Sequence, residues 1–326
     1  MQEPMDHDGQ DVKPKAADAA PPEQPERAPS GAHAVEIGTP NTSSYRCYMK
    51  DDEGKFLSLW HDIPLFAEKV DIDTPAPVQL FNMVVEAPRF SNARLEVNHT
   101  EFMNPITHTH NADGSLSYSY NVFPNKGYPF NYGYFPQTWT DPVNKANQCA
   151  PGDGDLVDAI DVTQKTRKVG DVVKVKVLGA TAFIVNNRLD WKIVCIEADD
   201  PMAPKIKEVH HLEFVMPGII RTIHEFFFFF NLPTENKLTN IAFKGSYRRI
   251  GVANQILSVS HSLWQNIIMQ KQPGIPETTK IACRQPMAAV KADLEQWKAV
   301  VEEQPPLTDA EPLPEQFNAY YYVKIP

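Results

Sequence analysis

Between Tyr45 and Ala198 the chain is punctuated too often to be helical. The runs "FLSLWHDIPLF", "FNMVVEAPRF", "ARLEV", "LSYSYNVF", "VVKVKVLG" and "WKIVCIEA" are short, β-branched or aromatic, and bounded by turn residues. In "VVKVKV" the alternation is strict: Val173, Val175 and Val177 point one way, Lys174 and Lys176 the other. Runs set this close together leave no space for crossover helices, which disfavours a doubly wound parallel sheet. The expected body is mainly β and barrel-like, with flanking helices. Helix signals come later. Val252, Ile256, Val259, Leu263 and Ile267 form a stripe at helical spacing, and "MAAVKADLEQWKAVVEE" is a second candidate. Pro217-Gly218 is placed to open a helix through "IIRTIHEFFFFF". The phenylalanines from Phe226 to Phe230 read as core in preference to a contact patch.

The ends differ from the body. Residues 1–40 are rich in Pro, Ala and acids and lack aromatic side chains, so they cannot bury enough apolar surface to offset ordering, and a disordered tail is expected. Residues 41–270 form the expected domain. Residues 271–326 are expected to supply a helix and an extended tail whose end, "AYYYVKIP", docks on the body. The chain has 29 prolines against 15 glycines among 326 residues, which suits loops and edges more than long helices. A net charge of -10 argues against a nucleic-acid surface and suits a protein that gathers cations. No stretch approaches the ~20 apolar residues of a membrane span. Cys47, Cys149, Cys195 and Cys283 show neither metal nor disulfide spacing, and the N-terminus has no targeting signature. A reducing compartment is expected, the cytoplasm first and the nucleus compatible.

Four aspartates, Asp153, Asp155, Asp158 and Asp161, fall in "GDGDLVDAID" directly after the aromatic run "GYPFNYGYFPQTW". Gly152 and Gly154 permit a tight backbone on which the carboxylates of Asp153, Asp155 and Asp158 can converge. Convergent carboxylates raise one another's pKa unless a cation sits among them, and hard divalent ions take such oxygen ligands. The competing reading is an Asp/Gly turn whose acids cap backbone amides. Asp190 and Lys192 are two apart in a strand and share a face, as a metal ligand beside a phosphate-binding amine or as a surface ion pair. Arg94 and Glu96 alternate in the same way in "NARLEV", with Glu86 nearby in sequence. Tyr128 and Tyr132 could line an anion pocket or fill core.

In order and spacing, "FNMVVEAPRFSNARLEV", "FPNKGYPFNYGYFPQTWTDP", "GDGDLVDAIDV", "LDWKIVCIEADDPMAPK" and "MPGIIRT" resemble the eukaryotic soluble inorganic pyrophosphatases of family I. The resemblance runs over roughly residues 36–270. It implies a five-stranded OB-like closed barrel of pyrophosphatase type, flanked by helices and assembled as a homodimer. It also implies hydrolysis of pyrophosphate to two phosphates with several Mg²⁺ ions. By the same resemblance Asp153, Asp158 and Asp190 hold metal, with Glu96 and Glu86 near a further ion. Asp155 is the expected proton acceptor, and Lys192, Arg94, Tyr128 and Tyr132 the expected phosphate contacts.

The pattern is broken in places. Leu156 stands for the proline of the family's aspartate signature, and Arg94 for a phosphate-binding lysine. Ser117 replaces an arginine, Val185 an acidic metal ligand, and Phe230-Asn231 a Tyr-Lys pair. Two expectations follow. The chain is a Mg²⁺-dependent pyrophosphatase, with Arg94, Lys237 or Arg248 compensating for the lost contacts. Alternatively it is a catalytically impaired relative serving as a binding or assembly subunit.

Overall fold

A computed structural model describes residues 31–67, 78–143 and 150–324. The strands of the first half are β1 (His33–Ile37), β2 (Arg46–Lys50), β3 (Phe56–Leu57), β4 (Phe81–Ala87), β5 (Leu95–Val97), β6 (Ile106–His108), β7 (Asn121–Val122) and β8 (Asn131–Phe135). They are followed by β9 (Val157–Asp161), β10 (Val172–Val185), β11 (Arg188–Glu197), β12 (Asn240–Ile241), β13 (Arg248–Arg249) and β14 (Tyr320–Tyr321). The helices are α1 (Leu212–Val215), α2 (Ile219–Phe228), α3 (Leu232–Glu235), α4 (Ile250–Ile268), α5 (Leu294–Glu302) and α6 (Glu315–Asn318).

The fold is mainly β with flanking helices, as the sequence predicts. In the larger sheet β4 pairs with β8 and β10, β8 with β9, β9 with β11, and β11 with β10. The β9–β11 pair is parallel and sets Asp158 opposite Lys192. Val173, Val175 and Val177 of β10 are buried in the core beside Met83, Val85, Ile193 and Cys195. Lys176 departs from the alternation rule. It too is buried, and its ammonium donates to the carbonyl of Ala203 at 2.9 Å, which satisfies a charge the strand could not otherwise enclose.

The smaller sheet orders β1, β2, β6 and β5, with β3 on β2. Strand β1 corrects the expected tail boundary, since it lies inside residues 1–40; of that segment, residues 1–30 fall outside the described residues. Its four-residue "AVEI" run is too short to stand out from Pro/Ala-rich flanks, but pairing with β2 across Ala34–Met49 and Glu36–Cys47 gives it a backbone partner. "FLSLWHDIPLF" is strand only at Phe56–Leu57. Beyond it, Trp60 turns inward and donates to the Thr138 carbonyl at 3.1 Å.

Helix α2 follows Gly218, whose φ of 90° admits the reversal that starts it. In α4 the buried face is Ala253, Leu257, Ser260, Trp264 and Ile267, rotated from the expected stripe; Val252 and Val259 are exposed. Helix α5 starts only at Leu294, because the Asp293 carboxylate caps the Gln296 amide at 3.0 Å. The C-terminal extension touches the body near its end. Phe317 packs at ring-centroid distances of 4.8 Å on Tyr118 and 4.6 Å on Tyr120, and β14 pairs with β7.

Candidate active site

A cavity of about 490 Å³ opens between the larger sheet, β5 and α2. All ten residues singled out in the sequence line it. The acids are Glu86, Glu96, Asp153, Asp155, Asp158 and Asp190; the donors are Arg94, Tyr128, Tyr132 and Lys192. Backbone periodicity explains much of this. Asp190 and Lys192 share a face of β11, the parallel register brings Asp158 beside them, and the β8–β9 pairing places Tyr132 next to that group. The β4–β8 register slips between Val85 and Ala87, so Glu86 sits at a bulge, where a strand can re-aim a side chain. Glu86 is buried and accepts the Val97 amide at 2.7 Å, joining the two sheets. Gly152 and Gly154 act as expected. A Cβ at Gly152 would fall 2.7 Å from the Thr140 Cβ, and Gly154 has a φ of 80°.

Lys192 is the hub. Its ammonium donates to Asp158 Oδ2 at 2.6 Å, Asp190 Oδ1 at 2.9 Å and the Tyr132 hydroxyl at 2.9 Å. Burial works against its charge, yet Asp158 and Asp190 outweigh burial and hold it cationic. Asp153 accepts from the Thr140 hydroxyl at 2.5 Å. Its carboxyl is pushed up to about 7 by burial and then by Asp190 and Asp155. Burial, with Asp190 adding to it, also raises Asp158 against the pull of Lys192. Glu86 is raised by burial and by Glu96 and Asp158, and Glu96 by burial despite Arg94 at 3.5 Å. The Tyr128 and Tyr132 phenols are raised by burial and so remain hydrogen-bond donors.

The substituted positions gather on one side. Val185, Phe230 and Asn231 line the cavity, and Ser117 Oγ lies 3.5 Å from Arg94 Nη1. The Arg94 guanidinium lies 4.9 Å over the Phe230 ring, so a cation occupies the region where charged side chains are missing. Of the three expected compensators, Arg94 alone is among the described cavity-lining residues; Arg248 stacks on Phe243 at 4.2 Å instead. The phenylalanine run divides: Phe226 and Phe227 are buried core, Phe228, Phe229 and Phe230 are partly buried, and Phe227 carries Lys192 at 4.6 Å from its ring centroid.

Three participants were not anticipated. Arg188 lines the cavity, and its alternation with Asp190 and Lys192 along β11 could have revealed it. Thr140, which holds Asp153, and His99, whose Nε2 lies 3.2 Å from Asp155 Oδ1, carry no sequence signal for these contacts.

Among the described residues, no three His, Cys, Asp or Glu side chains are grouped closely enough to hold a metal ion as they stand. Lys192 bonds both Asp158 and Asp190. The donor set nevertheless fits a hard divalent cation. Among the described residues the lining offers carboxylate oxygens and neither thiol nor imidazole, and the Asp153 carboxyl, raised by burial and then by Asp190 and Asp155, is one whose ionised form a cation would favour.

The comparisons with known proteins agree with this chemistry. A family model described as inorganic pyrophosphatase matches residues 83–265. A Drosophila melanogaster inorganic pyrophosphatase is 38% identical over 253 residues, covering 77% of this chain and 72% of the relative. The solved inorganic pyrophosphatase of Schistosoma japonicum superposes with a TM-score of 0.81 at 31% identity, covering 89% of this chain and 100% of that one. A truncated Trypanosoma cruzi vacuolar soluble pyrophosphatase, solved in complex with PPi, superposes at 0.66 with 30% identity over 80% of this chain and 98% of that one. With the family model spanning more than half of its length and these relatives matching most of it, the chain belongs to the inorganic pyrophosphatase family.

Proposed function

We propose that this chain hydrolyses inorganic pyrophosphate to two phosphates and that Mg²⁺ is the metal it uses. The observation that carries the reading is the convergence of Asp153, Asp155, Asp158 and Asp190 on one cavity with Lys192 and Arg94. The Trypanosoma cruzi relative described as a PPi complex shares the fold over 80% of this chain.

Asp153, Asp158 and Asp190 would hold metal, and Glu96 and Glu86 would support a further ion. Bound Mg²⁺ neutralises phosphate charge and lowers the pKa of a coordinated water. The chain's own groups do the rest. Asp155 takes the proton of the attacking water. Lys192, Arg94, Tyr128 and Tyr132 donate to phosphate oxygens, positioning the anhydride and spreading its charge. Arg94, stacked on Phe230, takes over the outer grip that Ser117 and Asn231 cannot provide.

The finer architecture belongs to the same proposal. The cyclic pairing of β4, β8, β9, β11 and β10 supports an OB-like closed barrel, with residues 41–270 as the pyrophosphatase domain and 271–326 packed on it. The homodimer rests on family membership. The cytoplasmic assignment is in keeping with free thiols at Cys47, Cys195 and Cys283. Among the described residues no helix is long and apolar enough to cross a membrane.

The test is phosphate release from pyrophosphate by the full chain across Mg²⁺ concentrations. Turnover that depends on Mg²⁺, and that falls by about 10²–10⁴-fold in Asp155→Asn, is expected. Absence of turnover at every Mg²⁺ concentration would overturn the proposal.

A further inference from the structure

His99 stands just outside the cavity lining and inside an aromatic box. Its ring lies 4.6 Å from Trp60 and 5.7 Å from Trp139, centroid to centroid. Trp60 is in turn stacked on His61 at 4.3 Å and on Trp139 at 5.4 Å. His61 is fixed from both ends. The Trp264 indole N–H donates to its Nδ1 at 2.9 Å, so Nε2 carries the hydrogen and donates to the Lys280 carbonyl at 3.1 Å. The backbone of His99 is held as well, its carbonyl accepting the Lys280 amide at 2.7 Å. The imidazole of His99 is therefore packed against Trp60 on one side, met at a tilt by Trp139 and held at its main chain, and its Nε2 lies 3.2 Å from Asp155 Oδ1.

Asp155 is held little otherwise. Its side chain is half exposed, and its other described contact, the Leu156 amide at 2.7 Å, falls on the same oxygen, Oδ1. Oδ1 thus accepts the Leu156 amide and lies within ion-pair distance of His99 Nε2, a buried nitrogen that has no hydrogen-bond partner among the described residues. The second oxygen, Oδ2, accepts no hydrogen bond from the described residues.

We propose that His99 is a positioning residue for Asp155: it fixes Oδ1 from within the tryptophan box so that Oδ2 is presented to the proton of the attacking water. The inference rests on the assignment of Asp155 as proton acceptor made above. The charges that face His99 favour the cationic ring. Burial opposes the charge, but Asp155, Glu96 and Asp153 outweigh burial and raise its pKa, while His61 is the neutral neighbour on the far side of Trp60. A protonated His99 faces the Asp155 carboxylate as an opposite charge at 3.2 Å and limits its rotation.

Two measurements test this in the full chain. The first is a proton NMR titration of His99 in the metal-free protein. Its midpoint should lie above the ordinary imidazole value and should fall in Asp155→Asn; an unchanged midpoint would overturn the pairing. The second is steady-state kinetics of His99→Gln, with folding checked by its melting curve. We expect kcat to fall about 10- to 100-fold with KM changed less than about threefold. The gap to wild type should narrow as pH rises through the His99 midpoint, and His99→Lys should recover part of the loss. Wild-type turnover matched by His99→Gln at every pH would overturn the inference alone. A wild-type chain without turnover would instead overturn the pyrophosphatase reading, and the positioning role with it, while the titration would still decide the pair.

Discussion

The Lys192 ammonium lies 2.6 Å from Asp158 Oδ2, in a site where the lysine side chain is only 4% exposed. This pair is the electrostatic centre of the metal-free cavity. Breaking a buried pair by removing one partner costs about 3–5 kcal/mol, because the other charge is left uncompensated. Lys192→Met should therefore lower the unfolding free energy of the metal-free protein by about that much, with Asp190 sharing the deficit. Added Mg²⁺ should stabilise the variant more than wild type, since a cation then replaces the missing ammonium. Denaturant unfolding with and without Mg²⁺ measures both effects, and equal Mg²⁺ stabilisation of the two proteins would remove these carboxylates from the metal site.

Asp153 gives a pH signature. Its carboxyl is near 3.8 when unperturbed and about 7 in the folded protein, so the folded state binds more protons than the unfolded state between those values. With the native state holding the extra proton, stability falls as pH rises through that window. In Asp153→Asn the amide oxygen can still accept the Thr140 hydroxyl, and the ionisation is gone. The variant's stability relative to metal-free wild type should climb from about pH 4 to pH 7 and level off above. Paired urea curves at a series of pH values would show this, and a flat difference would contradict it.

Arg94 and Phe230 should behave as a unit. Loss of a charged phosphate contact in Arg94→Ala should reduce kcat/KM by about 100-fold. Phe230→Ala removes the ring beneath the guanidinium, a contact of about 0.5–1 kcal/mol, and should cost roughly two- to fivefold. The double variant should be no worse than Arg94→Ala alone, because the ring acts through the cation it supports. Additive losses would mean that Phe230 contributes independently of Arg94.

The phenylalanine run should split by burial. Phe227 packs 5.8 Å from Phe130 and 5.1 Å from Phe183, and Phe227→Ala should cost about 3–5 kcal/mol in urea unfolding. Phe229 is only partly buried, and Phe229→Ala should cost less than about 1.5 kcal/mol. Phe227→Ala should also slow turnover, since Lys192 rests over that ring.

What could be read from the sequence was local or periodic. The two-residue repeat placed Asp190 with Lys192 and Arg94 with Glu96, and the glycines at 152 and 154 grouped Asp153, Asp155 and Asp158. The same repeat contains Arg188, a cation two residues before Asp190 whose place in the lining depends on where β11 begins. The His99–Asp155 and Thr140–Asp153 contacts were not legible, because each joins a loop to another segment whose approach only the folded sheets determine. The α4 stripe was placed on the wrong face for a different reason. Val252 and Val259 share the spacing of a core face, but small residues, Ala253 and Ser260, take the buried positions where the helix meets the body. Lys176 likewise obeyed alternation until the Ala203 carbonyl offered it a buried acceptor.

The β7–β14 pair joins residues near position 121 to the final stretch of the described chain, and Asn121 Nδ2 donates to the Phe317 carbonyl at 2.8 Å. On the ribosome, the central segment therefore emerges long before its partner is synthesised. Until then Tyr118 and Tyr120 have no Phe317 to cover them, and β7 has no neighbour in its two-stranded sheet. That pairing is thus reserved for a strand made some two hundred residues later, and a nascent chain that stalls before residue 317 would present an uncovered aromatic surface that a chaperone could hold.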